Sequence, residues 1–197
     1  RQEFDDLFEQ HKQKSNTNKS GKSQITLDTD NNNFVGYENL NHESRIYDIK
    51  DTEEGKVIFT EDTPFYYEAG GQVSDEGYLI TESTKIPIKK LIQTSSGAVG
   101  YLVDYSEFNI GDSIEQLVDS DFRNAVSKSH TAAHIVHASL RNILGSHVAQ
   151  AGSHVAPGKF RFDFSHTSKV SKEELEIIFK ESNQSVFRDL NIQTEIM

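Results

Sequence analysis

The sequence predicts an α+β fold, in which a β-rich barrel or sandwich precedes a two-layer unit of helices and strands. Between residues 24 and 118, short apolar runs alternate with turn residues such as Gly, Asn and Asp, a pattern typical of closely spaced strands. From residue 119, a long helical pattern is followed by an aromatic strand and a second helix. Strands that come first and helices that follow favour an α+β architecture.

The amino-acid composition excludes several classes of protein and of site. The 197 residues suffice for a buried core, and 35% of them are hydrophobic while 26% are charged. The net charge of −11 argues against a protein that binds nucleic acid through an overall positive charge. The absence of cysteine excludes disulfides and thiolate metal ligands in this chain. The sequence begins at Arg1 and shows neither a signal peptide nor an apolar run of membrane-spanning length, so we expect an internal piece of a larger cytoplasmic protein.

The first 118 residues divide into a charged segment and a β-rich region. Residues 1–23 combine helical spacing of apolar side chains with a Ser, Asn, Lys and Gly-rich end, and are expected to be a helix and linker from a preceding domain. In the β-rich part, Pro87 cannot donate to a ladder and therefore places its strand at an edge or a bulge. The predicted strands are residues 56–59, 77–80, 85–93, 98–103 and 113–118.

Residues 119–144 carry the longest helical pattern. Asp119 or Ser120 can cap its start, and Gly145 follows it as a typical C-terminal residue. The apolar side chains expected on its buried stripe are Phe122, Val126, Ala133, Val136, Leu140 and Leu144.

The remaining sequence predicts a strand, a helix and a final strand-like run. Residues 160–164 alternate Phe with Arg and Asp, as in a strand with one aromatic face. A helix is predicted to begin at Ser171, because Glu174 completes a capping box. Residues 192–197 are again strand-like. The buried face expected on the second helix is formed by Leu175, Ile178, Phe179 and Val186.

His130 and His134 are the candidate metal ligands. Four residues apart on a helix, their imidazoles lie on one face, a spacing that can chelate one metal ion and supplies half of a zinc site. Taken alone, such a pair is more often solvated. The run H-T-A-A-H holds no glutamate, which excludes the metalloprotease helix. His137 lies nearer the apolar stripe and is expected to be a packed or orienting residue.

A glycine-rich run at residues 63–77 reads T-P-F-Y-Y-E-A-G-G-Q-V-S-D-E-G. Gly70 and Gly71 allow the backbone to approach a ligand or to adopt positive φ, and their N–H groups can bind an oxyanion or a ribose. Thr63 and Gln72 are the polar side chains nearest to such a loop. Taken alone, a structural turn between strands is the more ordinary interpretation.

A third stretch joins Q-A-G-S at residues 150–153 with R-F-D-F-S-H at residues 161–166. Together and in this order, the three stretches resemble the editing region of alanyl-tRNA synthetases, which hydrolyses wrongly charged tRNA. Every fixed position of the family pattern T-P-F-Y-x-E-x-G-G-Q-x-x-D-x-G is matched, and the H-x-x-x-H motif is matched by His130 and His134. The resemblance covers essentially the whole chain.

This resemblance implies a fold and an activity. The fold would be a small β-barrel at residues 24–118, followed at residues 119–197 by a two-layer α/β editing core without its C-terminal half. The parent would ligate alanine to tRNA(Ala) with ATP and magnesium, and this region would hydrolyse seryl- or glycyl-tRNA(Ala). The expected partners are the acceptor end of tRNA(Ala) and the parent's other domains. The implied site residues are His130 and His134 for zinc, Gln150 and Thr63 for catalysis, and Gly70, Gly71, Gln72 and Gln150 for the tRNA end.

The resemblance also implies that the zinc site is incomplete. The family supplies its other ligands from a Cys-x-x-x-His motif that this chain lacks, so we expect weak or no editing by the chain alone. Two alternatives stay open: a free-standing editing hydrolase that acts in trans, and a non-catalytic module that guides tRNA. The missing motif disfavours the first, and the acidity disfavours tight tRNA binding by the second.

Overall fold

The computed structural model describes residues 29–105 and 107–191. The helix and linker predicted within residues 1–23, and the strand-like run at 192–197, lie outside these ranges. The described elements, in chain order, are β1 (Asn33–Phe34), β2 (Asn41–Thr52), β3 (Gly55–Thr60), β4 (Asp62–Thr63), β5 (Gly77–Ile80), β6 (Lys85–Pro87), β7 (Lys90–Gln93), β8 (Val99–Val103), β9 (Ser113–Val118), α1 (Ser120–Leu144), β10 (Gln150–Ala156), β11 (Lys159–Phe164) and α2 (Lys172–Phe187).

Seven strands form an antiparallel sheet in the order β6-β5-β9-β2-β3-β8-β7. Its centre is β2, which pairs with β9 over residues 41–45 and then with β3 over residues 46–52. The sequence pattern does not predict β2, because its polar run N-H-E-S-R does not alternate with apolar residues. We call residues 29–118 the β-region and residues 119–191 the α/β-region.

The single strand predicted at residues 85–93 is wrong. Pro87 ends β6, and β6 and β7 lie at opposite edges of the sheet, so the prediction that Pro87 marks an edge is confirmed. Between them, the Ile88 N–H donates to the Gly77 carbonyl at 3.0 Å and the Lys89 N–H donates to the Leu102 carbonyl at 2.9 Å. The two edges therefore meet at this link. Because β6 and β7 do not pair with each other, the closed barrel that the resemblance implied is not confirmed.

The core of the β-region contains a polar network. Tyr101 is fully buried, and its hydroxyl lies 3.2 Å from Thr60 Oγ1 and also donates to Gln116 Oε1. The Gln116 amide donates to the Asp62 carbonyl at 3.0 Å. Burial raises the pKa of Tyr101, so the phenol stays a neutral donor. The apolar side chains packed on this side of the sheet include Ile46, Ile58, Phe65, Leu79, Val103 and Ile114.

The predicted helix and its caps are confirmed in α1. The Asp119 carboxylate accepts a hydrogen bond from the Phe122 N–H at 2.9 Å, and the Gly145 N–H donates to the Arg141 carbonyl at 3.0 Å. In the described parts of the chain, no helix is both long enough and apolar enough to cross a bilayer.

The α/β-region consists of α1, a β-hairpin formed by β10 and β11, and α2, so two strands lie between the helices in the chain where the sequence predicts one. The capping box at Ser171 and Glu174 is confirmed. On the side of α1, Leu140 packs with Val148 and Ile178. The two helices also meet where Ser182 Oγ lies 3.1 Å from Ser139 Oγ, both buried.

The buried face predicted for α2 is largely wrong. Only Ile178 is buried, whereas Leu175, Phe179 and Val186 are 53%, 72% and 58% exposed. The helical periodicity identified an apolar face correctly, but the neighbouring elements cover only part of it.

Arg123 joins the two regions. In the first turns of α1, its Nε donates to Asp75 Oδ1 at 2.8 Å and Nη2 donates to Asp75 Oδ2. The guanidinium also donates to the carbonyls of Gly36, at 2.7 Å, and Pro64, at 2.9 Å. The Asp75 side chain is 1% exposed and accepts the Tyr66 N–H as well, at 2.6 Å. This buried ion pair therefore fixes α1 against the β-region.

We expect Arg123→Ala to lower the free energy of unfolding by about 3–5 kcal/mol, because it leaves the buried Asp75 carboxylate without its counter-charge. Asp104→Ala is the control, since it removes an exposed pair with Lys89 and should cost about 0–1 kcal/mol. Urea denaturation of both variants measures the difference. Equal losses would contradict the joining role of Arg123.

Neighbouring residues of α2 should respond differently to truncation. Ile178→Ala creates a cavity between the helices and should cost about 2–5 kcal/mol. Phe179→Ala removes an exposed ring and should change stability by about 0.5 kcal/mol at most. Thermal unfolding of the two variants tests this, and a large loss in Phe179→Ala would show that this face is covered.

Candidate functional site

The candidate site combines three segments: the glycine-rich loop (residues 68–76), the middle of α1, and β10. The loop is closed by its own hydrogen bonds. The Gln72 N–H donates to the Ala69 carbonyl at 2.9 Å, and the Glu68 N–H donates to Ser74 Oγ at 2.9 Å. At its end, the Asp75 N–H donates to the Tyr66 carbonyl at 3.0 Å. The loop is therefore a defined structure before any ligand is considered.

The glycine-rich loop docks on β10 through its backbone. The Val155 N–H donates to the Gly71 carbonyl at 2.7 Å, and the Val73 N–H donates to the Val155 carbonyl at 3.0 Å. Gly71 has φ +83°, and a Cβ there would lie 2.3 Å from Ser153 Oγ. Gly70 has φ +59° but no atom within 4 Å of a Cβ placed there. Gly71 is thus required for the close approach to β10, while Gly70 needs only the left-handed conformation.

Gln72 contacts α1 rather than solvent. Its side chain was expected to contact the tRNA end, but the residue is 7% exposed and its Oε1 lies 2.7 Å from Nδ1 of His130. The loop thus contacts β10 with its backbone and α1 with a side chain.

The two candidate metal ligands lie side by side on α1. The rings of His130 and His134 are stacked, with centroids 5.1 Å apart and planes at 12°. His130 is partly buried and His134 is exposed. Desolvation by burial lowers the pKa of His130, and the electrostatic effect of His134 lowers it further, which favours the neutral imidazole that a metal ligand must be.

The donor set fits zinc only in part. Two neutral imidazoles suit zinc, but a tetrahedral site needs more ligands. Within residues 29–105 and 107–191, no group of three or more His, Cys, Asp or Glu residues could hold a metal ion. A complete site would therefore need donors from outside these residues.

His137 packs one turn beyond the pair. Its ring centroid lies 4.8 Å from that of Phe162, and its Nε2 is buried with no hydrogen-bond partner among the described residues. This placement is that of a packed histidine rather than a third ligand.

Gln150 lies on the same side of β10 as the glycine-rich loop. It is exposed, and its Nε2 donates to Ser153 Oγ at 3.1 Å. The Ser153 hydroxyl in turn donates to the Gly70 carbonyl at 3.3 Å. The structure therefore connects Gln150 to Gly70 through one serine, which the sequence analysis did not single out.

Thr63 lies elsewhere. It is 1% exposed, its Oγ1 accepts the Phe65 N–H at 3.2 Å, and its hydroxyl interacts with the buried Tyr101. All of these contacts lie within the β-region, so the structure does not bring Thr63 to the cluster around His130.

Asp75 and Arg123 are the supporting residues that sequence reasoning missed. Asp75 is a fixed position of the glycine-rich pattern, three residues after Gln72, and this was the available signal. Arg123 gave none, because a charged residue in a helix is ordinarily solvated. Arg161 and Asp163, at the third motif, form an exposed pair with Nε–Oδ2 at 3.1 Å.

Residues 2–122 match the model of the family described as tRNA synthetases class II (A). Alanine–tRNA ligase 1 of Lachnoclostridium phytofermentans is 35% identical over 84% of this chain. The alanine–tRNA ligases of Oceanobacillus iheyensis and Haemophilus influenzae are each 37% identical, over 81% and 83% of the chain. These matches cover 20%, 19% and 20% of the three relatives, so the chain spans about a fifth of their length.

Gly71→Ala and Gly70→Ala should separate two effects: the docking of the loop on β10 and the left-handed backbone conformation of the glycine. Gly70→Ala should cost about 1–2 kcal/mol for the left-handed conformation and leave the loop on β10. Gly71→Ala adds the clash with Ser153 and should release the loop. Hydrogen exchange at the amides of Val73 and Val155 is the measurement, and we expect protection to be lost only in Gly71→Ala. Equal protection in both variants would contradict the docking.

Proposed function

The chain belongs to the alanyl-tRNA synthetase family, and on that premise we propose that it is part of an alanine–tRNA ligase and forms most of its editing region. The names of its relatives suggest that the parent protein attaches alanine to tRNA. We further propose that it does so with ATP and magnesium. Editing is chemically necessary for such an enzyme. A pocket for alanine excludes the smaller glycine weakly and cannot strongly reject serine, which adds only a hydroxyl.

One observation carries the proposal. The glycine-rich loop is hydrogen-bonded on one side to His130, through Gln72, and on the other to β10, which begins at Gln150. The family-like stretches are far apart in sequence but form one continuous cluster. A helix histidine pair on a merely solvated face would need no such partner.

The proposed substrate is the ester at the acceptor end of mischarged tRNA(Ala). An aminoacyl ester is already activated, so the site needs to hold the ester and place a water molecule rather than create a strong nucleophile. Gln150 offers an exposed amide to the polar groups of the aminoacyl moiety. Gly70, which has no side chain and open space beside it, allows the terminal ribose to approach the loop backbone, while Gly71 holds the loop on β10.

His130 and His134 would hold zinc through their imidazoles. When bound there, zinc supplies Lewis-acid polarisation of an oxygen ligand. Burial lowers the pKa of His130, which favours the neutral imidazole whose nitrogen can bind zinc. The further ligands would come from outside the described residues, which also explains why we expect little editing from the chain alone.

A hybrid enzyme tests the proposal. This chain replaces the matched segment of the Haemophilus influenzae alanine–tRNA ligase, and alanylation of tRNA(Ala) confirms that the hybrid folds. We expect the hybrid to hydrolyse seryl-tRNA(Ala) and spare alanyl-tRNA(Ala), and His130→Ala to abolish that hydrolysis. His42→Ala, which removes a partly buried histidine on β2, should leave the rate unchanged.

The two alternatives predict other outcomes. A trans-acting hydrolase requires the isolated chain to clear seryl-tRNA(Ala) as fast as the hybrid. A tRNA-guiding module requires binding without any discrimination between serine and alanine esters. Either result would contradict the editing proposal.

A further inference from the structure

Gln72 is the side chain that joins the glycine-rich loop to the candidate metal ligands. Its amide is almost fully buried, at 7% exposure, and its Oε1 lies 2.7 Å from Nδ1 of His130, which is 58 residues away in sequence. A buried amide that is hydrogen-bonded at such a position has a directional role, because an apolar side chain of similar size would bury at lower free-energy cost.

The backbone around Gln72 prevents it from turning away. The Gln72 N–H closes the turn on Ala69, and Val73 is hydrogen-bonded to Val155 of β10. Three residues further on, Asp75 is held by Arg123 of α1, the same helix that carries His130. The amide and the imidazole are therefore placed by the same rigid frame.

The contact selects one tautomer of His130. A neutral imidazole carries its proton on either Nδ1 or Nε2, and the other nitrogen is then a lone-pair donor. An amide oxygen can only accept a hydrogen bond, so Nδ1 must donate to Gln72 Oε1. The proton is thereby kept on Nδ1, and Nε2 keeps its lone pair.

We propose that Gln72 is a positioning residue, which holds His130 in the Nδ1-protonated tautomer and thereby presents Nε2 to zinc beside His134. This inference rests on the proposed function for its biological meaning. Ligating histidines commonly donate their second nitrogen to an acceptor that fixes ring orientation and raises ligand basicity, and loss of the acceptor weakens metal binding about 10–100-fold.

Three variants of this chain test the inference. Gln72→Met keeps the length of the side chain but removes the acceptor. Gln72→Glu restores an acceptor for the Nδ1 proton. Gln93→Met is the matched control, since Gln93 is exposed on β7 and its amide donates to the Gly97 carbonyl. The amide signals of Val73 and Val155 verify that the loop stays docked in each variant.

The first readout is the tautomer itself. With ¹⁵N-labelled histidine and no metal, long-range ¹H–¹⁵N spectra should show His130 as the Nδ1–H form in the unaltered chain, in Gln72→Glu and in Gln93→Met. Gln72→Met should give a mixture of both tautomers. The second readout is the zinc affinity of the hybrid ligase that carries each variant, measured by competition with a chromophoric chelator, because the hybrid supplies the further ligands. It should fall about 10–100-fold in Gln72→Met and recover in Gln72→Glu.

Two results overturn the inference: an Nε2–H tautomer of His130 in the unaltered chain, or zinc affinities that do not differ between the unaltered hybrid ligase and its Gln72→Met variant. Both readouts are independent of tRNA. A hybrid ligase that fails to discriminate seryl-tRNA(Ala) would contradict the proposed function while leaving the tautomer result intact, so the two failures are distinguishable.

Discussion

The arrangement of this protein depends on one buried ion pair between Arg123 and Asp75. The guanidinium satisfies the carboxylate and two backbone carbonyls of the β-region at once, so little of its donor capacity is left to solvent. Removing the guanidinium would leave the buried Asp75 carboxylate without its counter-charge. This costs far more free energy than the loss of an exposed ion pair. His130 follows Arg123 by seven residues, about two helical turns. The ion pair that fixes α1 against the β-region therefore also fixes the position of the His130 imidazole.

The candidate site is accordingly a composite, in which each segment supplies what it is chemically suited to supply. The helix provides two imidazoles at a fixed spacing. The glycine-rich loop provides close backbone approach and one buried amide. The hairpin provides an exposed amide at Gln150 and the backbone groups of Val155 that anchor the loop. None of these features identifies a site alone, and their convergence is what distinguishes this histidine pair from a solvated one.

The sequence was most informative where the signals are local. The caps of α1 at Asp119 and Gly145 and the capping box of α2 could be predicted, since each involves residues within one turn of one another. β2 could not, because its polar run is a strand only through partners about 70 residues away in β9. The face of Leu175 and Phe179 shows the other limit: periodicity reveals that a face is apolar but not whether anything covers it. The orientation of Gln72 toward His130 is likewise a tertiary fact, although its presence in the glycine-rich pattern marked the position.

The long-range pairing of β2 also imposes an order of events during synthesis. Asn41 pairs with Leu117, so the centre of the sheet stays open until the ribosome has released nearly all of the β-region. Asp75 emerges 48 residues before Arg123, and its carboxylate must remain hydrated throughout that interval. The glycine-rich loop can therefore make all of its observed contacts only after α1 and β10 have been synthesised. The loop comes first in the sequence of the candidate site but is the last part of that site to reach its observed structure, because its partners on α1 and β10 are synthesised after it.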